Sequence, residues 1–112
     1  MPTIKLDPSR WTEYFDNFSQ HLQSRLVEIE VASLDIGDQD VAEWIPLTGI
    51  SYDPKDNVLM VRTEPINHMI HRPREIHIEE GPEGIHHMEV IGQEGDKQII
   101  KFKDILKLPE AT

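Results

Sequence analysis

The fold of this chain is decided by residues 44–73, which read WIPLTGISYDPKDNVLMVRTEPINHMIHRP. Two apolar arms, 44–52 and 58–63, flank a turn that is rich in proline, aspartate and asparagine. Proline presets φ in such a turn, and aspartate and asparagine side chains bond the neighbouring backbone. The stretch therefore predicts a β-hairpin, with Ile50 opposite Leu59 so that apolar residues face each other across the strands.

Further strands are predicted on both sides of this hairpin by alternation of apolar and polar residues between glycine-containing turns. They are residues 25–33, 74–80, 85–91 and 97–102. Two other segments are predicted to be connections. Residues 35–43 carry four carboxylates around a glycine, and residues 64–73 are framed by two prolines, which favours an irregular or single-turn link.

One amphipathic helix is predicted at residues 8–23, with Asp7 or Ser9 as its N-terminal cap. Apolar side chains then recur at spacings of four, three and four. These are Trp11, Phe15, Phe18 and Leu22. Because this spacing places them on one helical face, we expect the helix to cover a sheet. The sequence as a whole predicts a single α+β domain over residues 1–112, with an antiparallel sheet of about six strands curled into a small SH3-like or Sm-like barrel or roll.

Composition narrows the classes of function. The chain has 21 acidic and 11 basic side chains, a net charge of −10, and no cysteine. The acidic excess argues against nucleic-acid binding, which depends on clustered Lys and Arg. The missing cysteine excludes disulfides and thiolate metal sites and suits a reducing cytoplasm. We also expect no membrane segment, since no apolar run approaches the roughly 18 residues that span a bilayer.

The run PLTGISYDPKDNVL, from Pro46 to Leu59, fits a pattern PLxGISYDPKDxxL, and HMIHRP, from His68 to Pro73, fits HxIxxP. With these motifs the chain resembles a family of small bacterial proteins that is catalogued only as a domain of unknown function. The resemblance extends from the helix around Trp11 to Phe102. It implies a bacterial source and a recurrent fold, and it carries no catalytic residue across.

The sequence contains six histidines, and two pairs of them are candidate metal ligands. His68 and His71 are three residues apart, so a helical turn would place both rings on one side. His77 lies on a strand whose partner must also bury its apolar face, which places it opposite either His87 or Glu89. The first register would bring two imidazoles together, and the second would give a His–Glu cross-strand pair.

The leading functional hypothesis is a noncatalytic binding or assembly module that uses open strand edges to bind a protein partner or itself. No nucleophile elbow, phosphate-binding loop or convergent acid–base pair is recognised, and no cofactor is predicted. A metal-binding or metal-sensing protein is the alternative, and an Sm-like RNA-binding module is the second alternative, against which the charge argues. Candidate binding residues lie around the second half of the opening stretch. They are Asn67, His68, His71, Arg72 and Arg74.

Overall fold

Eight antiparallel strands and one short helix make up the fold in a computed structural model, which describes residues 3–22, 25–33, 37–81 and 84–104. The strands are β1 (Thr3–Lys5), β2 (Arg25–Ser33), β3 (Gly37–Asp53), β4 (Val58–Thr63), β5 (Asn67–His71), β6 (Pro73–Gly81), β7 (Gly84–Gly92) and β8 (Lys97–Asp104). Helix α1 spans Trp11–Gln20 and follows a 3-10 turn at Pro8–Arg10. No helix among the described residues is long and apolar enough to cross a membrane.

The sheet has the strand order β1-β6-β7-β8-β2-β3-β4-β5, and β3 belongs to both of its halves. Residues 37–46 of β3 pair with β2, whereas residues 47–53 pair with β4. Trp44 has a φ of +51°, and the register with β2 slips beside it, so that the two strands are locally unequal in length. Such a β-bulge bends the strand and increases its twist. The long strand can therefore pass from one half of the sheet to the other.

The hairpin of β3 and β4 forms, but its predicted register is wrong by two residues. Ile50 lies opposite Val61, and Tyr52 lies opposite Leu59. The loop begins one residue later than predicted, because Asp53 is still paired with Val58. A shift of two residues keeps every side chain on its predicted face, so the apolar face of the hairpin still points to the core.

The apolar stripe of helix α1 contributes to the hydrophobic core, as predicted. Trp11 and Phe15 are buried, and Phe18 and Leu22 pack against the core. The four strand residues predicted to face inward are also buried, with at most 1% of their surface exposed. These are Ile76, Ile78, Met88 and Val90.

Ser19 bonds the helix to the backbone of β3. Its hydroxyl donates to the carbonyl oxygen of Ile50 at 2.7 Å and accepts from the amide nitrogen of Ile50 at 3.0 Å. Ile50 is fully buried, and β2 no longer pairs with β3 at this position. The side chain of Ser19 thus replaces the missing strand as a hydrogen-bond partner.

A second bond between helix and sheet involves the hydroxyl of Tyr14, which donates to Oε2 of Glu80 on β6 at 2.5 Å. Desolvation is the larger cause of a raised pKa for Tyr14, and the bond to Glu80 is the next. At the start of the helix, Asp7 caps the 3-10 turn by accepting from the amide of Ser9 at 2.9 Å. Of the two predicted caps, Asp7 is the one used, but it caps this turn, whereas helix α1 itself starts after Arg10 without a side-chain cap.

The prediction of about six strands in a small barrel or roll is wrong. The sheet has eight strands, and it is open, since its two terminal strands in the described part of the chain are β1 and β5, which do not pair with each other. One of the missed strands, β1, is too short to show a pattern. The other, β5, lies inside the segment that was predicted to be a connection, because both prolines lie outside the strand itself. Residues 37–43, also predicted to be a connection, extend β3, while residues 35 and 36 lie outside the described residues.

Candidate functional site

Strand β5 forms one edge of the sheet, and β4 is the strand beside it in the described part of the chain. The pairing joins residues in a regular antiparallel register, such as Leu59 with Ile70. Two further backbone bonds extend this register at its ends. The amide of Thr63 donates to the carbonyl of Ile66 at 2.9 Å, and the amide of Arg72 donates to the carbonyl of Asn57 at 2.8 Å.

In an antiparallel ladder, hydrogen-bonded pairs alternate with non-bonded pairs. The terminal bonds therefore make residues 68 and 70 the bonded positions of β5. The amides and carbonyls of Asn67, Met69 and His71 point the other way, toward the open side of the strand. No partner for these groups is found among the described residues. We call them the β5 edge.

The side chains of the same three residues lie on the outer face of the sheet. Asn67 and His71 are exposed and Met69 lies between them, whereas His68 points inward and Ile70 is buried. Met69 has 47% of its surface exposed, which makes it one of the largest exposed apolar side chains in the described structure. The β5 edge therefore combines unpaired backbone groups with an apolar side chain at its centre.

A shallow groove of about 380 Å³ runs across β3, β4 and β5 beside this edge. It is lined by Ser51, Asp53, Asp56, Val58, Met60, Met69 and His71. Two cross-strand rows supply most of these residues: one places Ser51, Met60 and Met69 side by side, and the next places Asp53, Val58 and His71 side by side. We call it the methionine groove, because two flexible thioether side chains form its centre.

Polar groups surround the apolar centre of the methionine groove. At one end, the guanidinium of Arg62 donates to the hydroxyl of Ser51 at 3.0 Å. At the other end, Oδ1 of Asp53 accepts from the amide of Lys55 at 2.9 Å and so belongs to the hairpin turn. An apolar strip bounded by polar groups suits a bound chain in an extended conformation, whose alternate side chains enter the strip.

The five predicted binding residues divide into three groups. Asn67 and His71 lie together on the β5 edge. His68 points inward, where its Nε2 lies 2.5 Å from Oε1 of Gln98 on β8, so that the imidazole N–H donates to the amide oxygen. Arg72 is exposed with a φ of +53° in the one-residue link to β6, and Arg74 is exposed, with Nε 3.9 Å from Oε2 of Glu75.

The structure separates His68 from His71. Their predicted shared side required a helical turn, but β5 is a strand, and residues three apart on a strand face opposite sides. Across the described residues, no group of three or more His, Asp or Glu side chains is arranged to hold a metal ion.

The second histidine pair is resolved in favour of the His–Glu register. His77 lies opposite Glu89, and His87 lies opposite Glu79. The nearest bond of His77 is to Glu75, whose Oε1 accepts from Nε2 at 3.0 Å. This bond is the largest cause of the lowered pKa of Glu75, followed by the charge of Lys5.

The methionines of the groove were missed by the sequence analysis, although a signal for them is present. Residues 67–71 are long enough for a strand, and they follow the strand 58–63 after a short proline-containing turn, as the third strand of an antiparallel meander would. The framing prolines outweighed this signal. A proline excludes only its own position and disfavours helix before it, so it does not argue against a strand that begins two residues later.

Comparison with known proteins gives two matches. Residues 3–111 match the model described as "Family of unknown function (DUF5335)". The chain is also similar to an "Uncharacterized protein" of Aquifex aeolicus (strain VF5), with 40% identity over 111 residues, which cover 98% of this chain and 100% of that protein. No solved structure matches.

Proposed function

Since the chain belongs to the Family of unknown function (DUF5335), whose description assigns no reaction, we propose from the geometry of β5 that it is a noncatalytic binding or assembly module. The observation that carries the proposal is the β5 edge. Three outward-facing residues, at alternate positions of one strand, offer backbone donors and acceptors that no described strand uses.

Strand addition is the binding mode that this arrangement supports. An extended segment can bond its backbone to the β5 edge and place alternate side chains on the outer face. The methionine groove lies on that face, and methionine side chains adapt to different apolar partners. Backbone bonds would then supply affinity, and the groove would select side chains.

The other terminal strand, β1, is less suited to this role. It has three residues, all exposed, and it ends in Lys5. Short edge strands that carry lysine are a common protection against pairing. The proposed binding therefore uses one edge of the sheet, along β5.

The proposed setting is the cytoplasm of a bacterium. A chain without cysteine suits a reducing compartment, and the similar protein of Aquifex aeolicus supports a bacterial origin.

A proline at position 69 tests the proposal. The amide of Met69 points away from β4, so Met69→Pro removes a donor from the β5 edge without breaking a β4–β5 bond, and edge strands tolerate proline. Light scattering after size-exclusion chromatography and capture from a bacterial lysate should show self-association or a retained partner with the natural protein, and its loss with Met69→Pro. Ile4→Lys, at an exposed apolar residue of β1, is the matched control and should change neither measurement. A monomer that retains nothing, or binding that Met69→Pro leaves intact, would refute the proposal.

A further inference from the structure

We propose that the partner of β5 is β5 of a second copy of this chain, paired antiparallel about a two-fold axis that passes through Met69. This inference rests on the proposed function and names the occupant of the edge. Its first support is the geometry of the backbone groups.

A two-fold axis at Met69 aligns every open backbone group with another open group. It places Met69 opposite Met69 of the second copy, and Asn67 opposite His71. Each of these residues points its amide and carbonyl away from β4, so the aligned residues can exchange hydrogen bonds in the regular antiparallel pattern. An axis at residue 68 or 70 would leave one end of the five-residue strand without a partner.

The side chains also match under this axis. The two Met69 side chains, each 47% exposed in one copy, would meet on the outer face. The row of Ser51, Met60 and Met69 would continue into the same row of the second copy, so the two methionine grooves would become one. Burial of these thioethers supplies an apolar contribution that backbone bonds alone lack.

Charges at the two ends of β5 are complementary. Glu64 precedes the strand, Arg72 follows it, and both are exposed. Pairing about Met69 places Arg72 opposite Ile66 of the second copy, two residues from its Glu64, so opposite charges lie near each other at both ends. This local attraction opposes the repulsion between two chains that each carry a charge of −10.

The association should stop at two copies. An isologous interface uses the same patch on both subunits and therefore closes on itself. The other terminal strand of the described sheet, β1, is short and ends in Lys5, which disfavours further addition.

Cysteine cross-linking gives a direct test, because the natural chain has no cysteine. Opposed residues of a bonded antiparallel pair have Cα atoms about 5.5 Å apart, within the range that a disulfide spans. Under mild oxidation, Met69→Cys should form a covalent dimer. Asn67→Cys alone and His71→Cys alone should not, since each lies opposite the other residue, but a mixture of the two variants should form a mixed dimer.

Sedimentation supplies an independent measurement. Met69→Pro in both copies removes the central pair of bonds, and the dissociation constant should rise at least about tenfold. Met69→Lys is a second variant that keeps the amide and introduces a charge at the axis, and it should weaken the dimer as well. Thermal unfolding checks that both variants are folded.

The outcomes distinguish this inference from the proposed function. A natural protein that is dimeric, with Met69→Cys cross-linking as expected, supports both. A monomeric natural protein that captures another chain, and loses it on Met69→Pro, overturns pairing with a second copy and supports the binding module. A dimer that Met69→Pro leaves unchanged, or one that cross-links in the Asn67→Cys variant alone, overturns the pairing proposed for β5.

Discussion

Replacement of Ser19 by alanine should destabilise the fold by about 2 kcal/mol, because a buried polar group without a partner costs about 1–3 kcal/mol. The hydroxyl of Ser19 is the hydrogen-bond partner of both the amide and the carbonyl of Ile50, at 3.0 and 2.7 Å. Two groups are affected, but Ser19 is only part-buried and water can reach the site in part. We therefore expect a cost well below the sum of two full penalties.

Urea unfolding followed by the fluorescence of Trp11, which is buried at the start of the helix, measures this change. For a domain of this size about 2 kcal/mol corresponds to a fall of roughly 6–12 °C in Tm. Ser9→Ala is the matched control, because the hydroxyl of Ser9 bonds an exposed carboxylate, and it should change stability by less than about 0.5 kcal/mol. Ser19→Thr keeps the hydroxyl and should retain most of the stability.

Amide hydrogen exchange separates the local effect from the global one. In Ser19→Ala, the amide of Ile50 should exchange faster than its neighbours on β3, by more than the loss of global stability predicts. If Ser19→Ala costs no more than Ser9→Ala, or if the amide of Ile50 keeps its protection, the Ser19 hydroxyl does not replace the missing strand.

Three further predictions concern single positions. The pKa of Tyr14 is raised by burial and then by its bond to Glu80. The contribution of Tyr14 to stability is therefore complete below its ordinary pKa of 10.0 and is lost as the pH rises above that value. Tyr14→Phe should flatten the decline of stability above pH 10.0 in urea titrations, and an unchanged decline would contradict the assignment. Gly95 has a φ of +89°, and the space that a Cβ would occupy there is open. Gly95→Ala should therefore cost about 1 kcal/mol from backbone strain alone, and Gly95→Asn should cost less. Equal thermal stability of the natural protein and both variants would be the contrary result. His68→Leu should destabilise the fold by about 1 kcal/mol because Gln98 loses its hydrogen-bond donor. The double variant that also carries Gln98→Ala should lose less stability than the two single variants lose together, whereas strict additivity would mean that the two side chains are not coupled.

Strand periodicity predicted much of this fold because it depends on neighbouring residues alone. Residues 25–33 and 58–63 are strands with the predicted bounds. The inward faces of β6 and β7 followed from the requirement that paired strands bury the same side. Periodicity left two registers open for His77, because both satisfy that requirement, and the observed pairing with Glu89 accompanies a register shift between Glu79 and Glu80 that local alternation does not predict.

The open form of the sheet could not be predicted in the same way. It depends on the bend of β3 at Trp44, where a bulky residue adopts a positive φ that its sequence context does not favour. It also depends on the strand order, in which β2 lies between β8 and β3. Both are properties of distant pairing, so a count of local strand patterns underestimates the sheet and does not distinguish a barrel from an open sheet.

The segment that contains the candidate site was singled out from the sequence, but its strand conformation was not predicted. Residues around 67–74 were singled out for their histidines and arginines, and Asn67 and His71 do lie on the β5 edge. The interpretation changed because a strand places His68 and His71 on opposite sides and brings Met69 outward between Asn67 and His71. Side-chain chemistry alone directed attention to metal binding, whereas the proposal of association rests on the direction of the backbone groups.

The pairing of β2 with β8 has a consequence for the order in which the chain folds. Arg25 lies opposite Asp104, so one side of β2 has no strand beside it until the last described strand has been synthesised. At about 5–20 residues per second, the ribosome needs roughly 4–14 s to extend the chain from the end of β2 to the end of β8. During that interval the hairpin of β2 and β3 exposes an unpaired edge rich in valine and isoleucine. The nascent chain is therefore most exposed to aggregation before β8 emerges, and a truncation that removes β8 would make that transient state permanent.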